Sequence, residues 1–532
     1  MRRALLDTLA VGAAGAALPL ACTHTGAWAL APLSVGVLAW RLQQAGPRRA
    51  AWLGGVFGTA WLVAAVWWLH ISMHRYGGLP GWMAGLAVLG LAAALSSYLA
   101  LACAAWARWR RGRPLPDAGL FAALWLLAEW ARGELFTGFP WAASGYTQVD
   151  APLAGLAPWV GVYGMGAVLV GATALAVFGA LPTTGRGTNA ASGPSTAQAT
   201  DRTPGRRAGP MVTALALLLA PAVLQPLDFT ATAGRMTVTL LQPRVAQDEK
   251  FSGERMPQNL AWLREALVQA RGQLVVAPET AVPLLPAQLD VLAPGWWAGL
   301  AQHFGQSGQA ALIGVPLGSF ETGYTNSAVG LRPGQEAAYR YDKAHLVPFG
   351  EFIPRGFRWF TELMQIPLGD FARGPVNAPS MALGGQRLAP NICYEDLFGE
   401  ELAARFVDSA RAPTALVNLS NIGWFGDTVA IPQHLNLSRL RALELQRPML
   451  RATNTGATAI IDHRGRVTHR LEPRQRGVLD GEFEGRTGTT PYAAWAGRHG
   501  LWPLFGLALA LAAVCARRRP PPPEAGPGPP AP

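Results

Sequence analysis

The chain has 532 residues, 50% of them hydrophobic and only 14% charged, well below the roughly 25% charged of a soluble globular protein. The deficit is uneven: 1–230 and 497–516 are rich in Ala, Leu, Val, Gly and Trp, while 235–485 reads as an ordinary water-facing domain, so a single soluble body is excluded. The net charge of +12 includes arginine clusters beside apolar runs, which favours membrane topology over nucleic acid, and four cysteines, three in apolar segments, give no disulfide framework.

Eight apolar stretches approach or exceed the length that crosses a bilayer: 4–22, 24–42, 52–72, 80–106, 118–134, 155–181, 210–228 and 497–516. The first two nearly touch and read as a hairpin or one broken segment. Leu20-Ala21-Cys22 resembles a lipoprotein cleavage site, but Pro19 is wrong for one and a second apolar run follows, so the segment reads as an uncleaved anchor. Arg2 and Arg3, Arg48 and Arg49, Arg108 to Arg113, Arg186 to Arg207 and Arg517 to Arg519 fall on one side of an eight-span arrangement. The positive-inside rule makes that side cytoplasmic and puts the domain between spans seven and eight outside. The stretch 183–209 reads as a flexible cytoplasmic loop, and 520–532 as a disordered Pro-rich tail.

Within 235–485, short apolar runs alternate with helical patterns. Strands are predicted at 236–241, 274–277, 311–315, 387–392 and 415–419, and helices at 259–270, 398–404 and 434–445. The alternation predicts an α/β fold, with chemistry at the strand ends.

Three ionisable residues stand out. Glu279 follows the strand 274–277, Lys343 lies in the run 341–354, and Cys393 follows the strand 387–392. A thiol needs a base, which a poorly solvated carboxylate can supply. A lysine and the Tyr394 backbone N–H would suit the oxyanion of a tetrahedral intermediate. The amides opening the turn after Cys393 would favour a thiolate. Singly, each residue also reads as a surface carboxylate, a loop charge or a small buried side chain.

Together, Pro278-Glu279-Thr280, the run 341–354 and Asn391-Ile392-Cys393-Tyr394-Glu395-Asp396 resemble the Glu-Lys-Cys motifs of the nitrilase superfamily. Their wording is similar to that of the apolipoprotein N-acyltransferases. So are 418–427, 433–435, 439–444, 451–456, Ser72 to Pro80 and Thr137-Gly138-Phe139-Pro140-Trp141. The resemblance implies an α-helical membrane domain of about eight spans carrying a nitrilase-like αββα sandwich. Seven spans would lie in 1–230, the catalytic domain in 231–490 on the periplasmic side of a bacterial inner membrane, and the last span in 497–516. Glu279 would be general base, Lys343 the oxyanion partner and Cys393 the nucleophile. Glu351 would position Lys343, and Tyr394, Glu395, Trp424 and Phe425 would support or line the pocket. No metal or cofactor is implied. Where the family has Asn-Asp before Trp-Phe-Gly, this chain has Asn421-Ile422, and the aromatic expected early in the domain is Phe251.

The implied reaction begins when Cys393 attacks an acyl ester of a phospholipid, phosphatidylethanolamine by the resemblance. The resulting thioester then passes its acyl group to the free amine of a diacylglyceryl-cysteine apolipoprotein. Phe349, Phe352, Phe357, Trp359, Phe360 and Leu363, interleaved with Arg355 and Arg358, read as an interfacial lid, with core as the alternative for some of them, and Trp296 and Trp297 read equally as a second interfacial patch or as core. The rival readings are a membrane-tethered amidase of the same superfamily and a transporter. Few charges lie inside the spans, Glu129 and Arg132 being an expected pair, which disfavours transport.

Overall fold

The computed structural model describes residues 2–180, 205–250, 252–354, 356 and 370–517, with the side chains of 205–207 excepted. Phe251, Arg355, Arg358, most of the expected lid, most of the 183–209 loop and the 520–532 tail lie outside the described residues.

Each of the eight apolar stretches contains a helix. Four are long and apolar enough to cross a membrane unaided: Arg2–Thr23, Pro47–Val66, Gly81–Trp109 and Pro152–Ala180. Pro491–His499 and Trp502–Ala516 qualify only as a pair bent by 94°, and Leu30–Leu42 and Ala208–Leu224 are shorter. The helices pack through small residues, as lipid-embedded helices do. A Cβ on Gly54 would lie 2.7 Å from the Cys103 sulfur, so a larger residue would push two helices apart. Gly161 has φ +64°, and a Cβ there would stand 2.4 Å from the Tyr492 ring. Outward faces stay apolar, with Leu86, Trp82 and Leu101 exposed, as lipid contact requires. Glu129 and Arg132 do pair, 3.6 Å apart and both buried.

The water-facing domain holds two six-stranded sheets. The first has strands β1 (Thr230–Gln242), β2 (Leu274–Ala277), β3 (Ala310–Ser319), β4 (Gly323–Leu331), β5 (Tyr339–Asp342) and β12 (Gly477–Gly488), in the order β12-β1-β2-β3-β4-β5. The second has β6 (Met381–Leu383), β7 (Gln386–Ile392), β8 (Ala415–Ser420), β9 (Met449–Thr453), β10 (Ala459–Ile461) and β11 (Val467–Arg470), in the order β11-β10-β9-β8-β7-β6. Side-chain parity assigns the layers. Val238, Leu240, Leu274 and Val276 meet Leu388, Ile392, Val417 and Leu419 between the sheets. The alternate residues Leu241, Val275 and Ala277 face Leu260, Leu263, Leu300 and Phe304 of the helices Met256–Val268 and Trp296–Gln306. The other sheet is covered by Ala430–Leu445, and the arrangement is the expected αββα sandwich.

The helix Ala430–Leu445 also joins the sandwich to the base. Its Leu435, Leu440 and Leu445 share one apolar core with Ala389 and Leu416 of the sheet and with Trp68 and Trp141 of the base. Buried Gln433 accepts from the Trp141 indole at 2.8 Å and donates to Thr23 at 3.2 Å. Trp296 is not an interfacial residue. It is buried against Leu300 and Phe304, its indole N–H donating to the Leu260 carbonyl at 3.3 Å.

Candidate active site

The strands β2 and β8 run parallel to both neighbours and β7 runs parallel to β8, and their carboxyl ends deliver Glu279, Cys393 and Asn421 to one place. Lys343 arrives from the end of β5, and its backbone N–H donates to the Asn326 carbonyl of β4 at 2.8 Å. The site is therefore built where the two sheets face each other.

The Lys343 ammonium is almost fully buried. It lies 2.9 Å from one Glu351 oxygen and 3.5 Å from Glu279 Oε1. A buried ammonium is costly without close partners, and two carboxylates supply them. Burial pushes against its charge, but Glu351 and then Glu279 outweigh burial and lift its pKa. Asn326 ties the carboxylates together, its Nδ2 donating at 2.7 Å to both Glu279 Oε1 and Glu351 Oε1. The Asn421 N–H donates to Glu279 Oε2 at 2.9 Å, and the Val347 N–H to Glu351 Oε2 at 2.8 Å. Glu279 is thus fixed at both oxygens.

Cys393 opens a short 3-10 turn with φ +53°, a strained conformation for a non-glycine residue. Its carbonyl accepts from Asn418 at 3.4 Å and from His434 Nε2 at 3.3 Å. Arg451, a donor only, points at His434 Nδ1, which assigns the ring proton to Nε2. That nitrogen also donates to Asp396, 2.9 Å away. Burial opposes the Asp396 charge, but His434, Arg451 and Ser438 outweigh it and hold the carboxyl below its usual range.

The thiol differs from the sequence expectation. Turn amides do not hold it as a thiolate. Burial, then the Glu279 charge, push it up to about 12, with Lys343 pulling only partly the other way. The resting sulfur is protonated, so an attack needs a base.

Glu395 is a clamp. Its oxygens accept from the backbone N–H of Ile392 (2.6 Å), Ala344 (2.7 Å) and His345 (3.2 Å) and from the Tyr341 hydroxyl (2.8 and 2.9 Å). It locks the Lys343 loop to the Cys393 strand, and burial lifts its carboxyl above the usual range. The Tyr394 hydroxyl donates to the Gly138 carbonyl of the base at 3.1 Å. Trp424 and Phe425 also face the base: Phe425 lies 4.2 Å from Trp68 and Trp424 lies 5.5 Å from Tyr76, ring to ring. These three residues anchor the site on the base. His345 pairs with Glu401 at 2.9 Å and stacks on Phe398, and no bond joins it to the three reacting groups among the described residues. Phe349 and Phe352, the described part of the expected lid, are half-buried, the Phe349 N–H donating to the Phe352 carbonyl at 2.8 Å. Ile422 is buried, and the Asn421 backbone beside it makes the polar contact to Glu279.

Residues 14–175 match the family described as Apolipoprotein N-acyltransferase N-terminal domain, and 237–492 match Carbon-nitrogen hydrolase. A protein of Verminephrobacter eiseniae (strain EF01-2) named Apolipoprotein N-acyltransferase is 53% identical over 494 residues, which is 89% of each chain. The chain belongs to the apolipoprotein N-acyltransferase family. A member from Ralstonia nicotianae (strain ATCC BAA-1114 / GMI1000) is 44% identical, covering 87% of this chain and 85% of its own. One from Bordetella bronchiseptica (strain ATCC BAA-588 / NCTC 13252 / RB50) is 40% identical, covering 96% of each.

Asn326, Asn418, His434 and Lys250 escaped the sequence reading. Asn326 sits in the edgeward strand β4 with no motif around it. His434 lay in a matched run but carried no chemistry of its own until the fold brought it to the Cys393 carbonyl.

Proposed function

We propose that this acyltransferase moves an acyl chain from a phospholipid, through a thioester on Cys393, to the N-terminal amine of a diacylglyceryl-cysteine apolipoprotein. Glu279 takes the thiol proton as the sulfur attacks the ester carbonyl. Lys343 and the Tyr394 N–H hold the oxyanion. The carbonyl re-forms, the lysophospholipid leaves with the proton returned by Glu279, and the thioester remains. The free amine of the acceptor then attacks, and the thiol is regenerated. Phosphatidylethanolamine is the proposed donor.

The observation that carries the reading is the Glu279–Lys343–Glu351 cluster, buried and joined by Asn326, beside a protonated thiol. The cluster supplies a base and a cation at fixed positions in a poorly solvated site, where both act most strongly. The apolar core running unbroken from the sandwich into the base supports a donor drawn from a membrane.

We place the catalytic domain at 231–490, between a membrane part in 1–230 and a last helix in 497–516, with eight spans when the helix Pro114–Glu134 and the short and bent helices are counted with the four long ones. The arginine clusters support an inner-membrane protein with its catalytic domain in the periplasm. An amidase would keep the same three residues. It has less support, since the relatives from 53% down to 37% identity carry the acyltransferase name over most of the chain. The test is discharge of the acyl-enzyme. A diacylglyceryl peptide with a free N-terminus should discharge it quickly and gain the acyl mass, whereas discharge by water at the same rate without peptide would favour a hydrolase.

A further inference from the structure

Lys250 lies in the loop between β1 and the helix Met256–Val268 and is only 5% exposed. Its Nζ donates to the Glu279 main-chain carbonyl at 3.3 Å and to the Thr280 hydroxyl. Among the described residues, no carboxylate forms an ion pair with it. Burying an ammonium on neutral acceptors is costly, so a lysine in that position is a poor choice for stability alone. The backbone it touches is strained, because Thr280 has φ +44°, a conformation that persists only where the surroundings enforce it. The loop bearing Lys250 is itself tied to the site. Gln247 accepts from Asn421 at 3.0 Å, and Asn454 exchanges bonds of 2.8 and 2.9 Å with the Val245 backbone. Asn421 in turn grips the Glu279 carboxylate.

We propose that Lys250 is a positioning residue for the general base, its buried ammonium pinning the Glu279–Thr280 turn so that the Glu279 carboxylate stays aimed at the Cys393 thiol. The proposal rests on the acyl-transfer reading above. Glu279 is then held at two points, its backbone by Lys250 and its oxygens by Asn326 and Asn421. Burial pushes Lys250 down to about 8, with the Glu279 charge opposing; Cys393, the other titratable group that acts on it, is a neutral thiol at that pH. The clamp therefore weakens as the ammonium loses its proton in mildly alkaline solution.

The test is single-turnover thioester formation on Cys393 from phosphatidylethanolamine in mixed micelles, read by mass across pH 6–10. Lys250→Met should slow the step at least about tenfold, the scale of a small misplacement of a reacting group. The wild-type rate should fall above about pH 8, and Lys250→Met should lose that fall. Lys250→Arg, which stays charged, should also lose the fall and keep more of the rate. In the Glu279→Gln background, Lys250→Met should change the rate by less than about twofold, since residues acting as a unit are not additive. An equal loss in both backgrounds, or a wild-type profile flat from pH 7.5 to 9, overturns the role of Lys250. The wild-type profile carries the test even if Lys250→Met fails to fold. A Glu279→Gln enzyme as fast as wild type would instead overturn the base assignment itself.

Discussion

Replacing Glu279 with glutamine should change two properties of Cys393 in opposite directions. With the thiol at about 12, only about one sulfur in 10⁴ is a thiolate at pH 8, against roughly one in four for an ordinary cysteine near 8.5. That is a deficit of about 2,000-fold. A thiolate of higher pKa is intrinsically more nucleophilic, recovering about 40-fold over that interval. The net expectation is alkylation roughly 60-fold slower than a free cysteine. Glu279 is the second cause of the upward push, after burial. Glu279→Gln removes its charge, so the thiol should acidify and iodoacetamide should label Cys393 about threefold faster for each unit of pKa lost. The same variant has no base, so thioester formation should slow by about 10²–10⁴. The assay is peptide-resolved mass spectrometry of alkylated protein in detergent, which separates Cys393 from the three buried cysteines. The slope with pH matters more than the absolute rate, because access scales the rate at every pH alike. Wild type should rise about tenfold per pH unit to pH 10. A plateau beginning below pH 8 would mean a resting thiolate and refute the reasoning. So would slower labelling in Glu279→Gln.

Lys343→Met should slow thioester formation by about 10²–10³ through loss of the oxyanion partner, and should also slow alkylation, since Lys343 lowers the thiol pKa. Glu351→Gln keeps the size of the side chain but removes one charge from Lys343. Acylation should fall about tenfold or more, with substrate KM little changed, because the loss is of alignment. Glu395→Ala strips partners from three backbone N–H groups and the Tyr341 hydroxyl, and the melting temperature in detergent should drop by several degrees, a loss of about 1–3 kcal/mol. Each fails if kinetics or melting match wild type.

The sequence showed the central strands because they are buried on both faces. The predicted runs at 274–277, 387–392 and 415–419 fall within β2, β7 and β8. It missed β4 and β9, the short strands β5, β6, β10 and β11 of three or four residues each, and β12, an edge strand that carries Asp480, Glu482, Glu484 and Arg486. The predicted helix at 434–445 is real but begins at Ala430, and nothing in its periodicity showed that it bridges sheet and base. Glu279, Lys343, Glu351 and Cys393 do meet. Trp424 and Phe425 stand against the base, a contact that order along the chain did not show, because it does not say which way a turn presents its side chains. The turn amides after Cys393 were legible, but the burial that overrides them was not, since desolvation depends on neighbours that only the fold brings together. Trp296 was ambiguous for the same reason: its indole found a buried carbonyl only once two helices packed.

The most direct test of the account is the mass of the protein after brief mixing with phosphatidylethanolamine. Wild type should gain one acyl chain on Cys393, sensitive to hydroxylamine as a thioester is, and Cys393→Ala should gain none. Equal acylation of Cys393→Ala, or an adduct mapped to another residue, would contradict it.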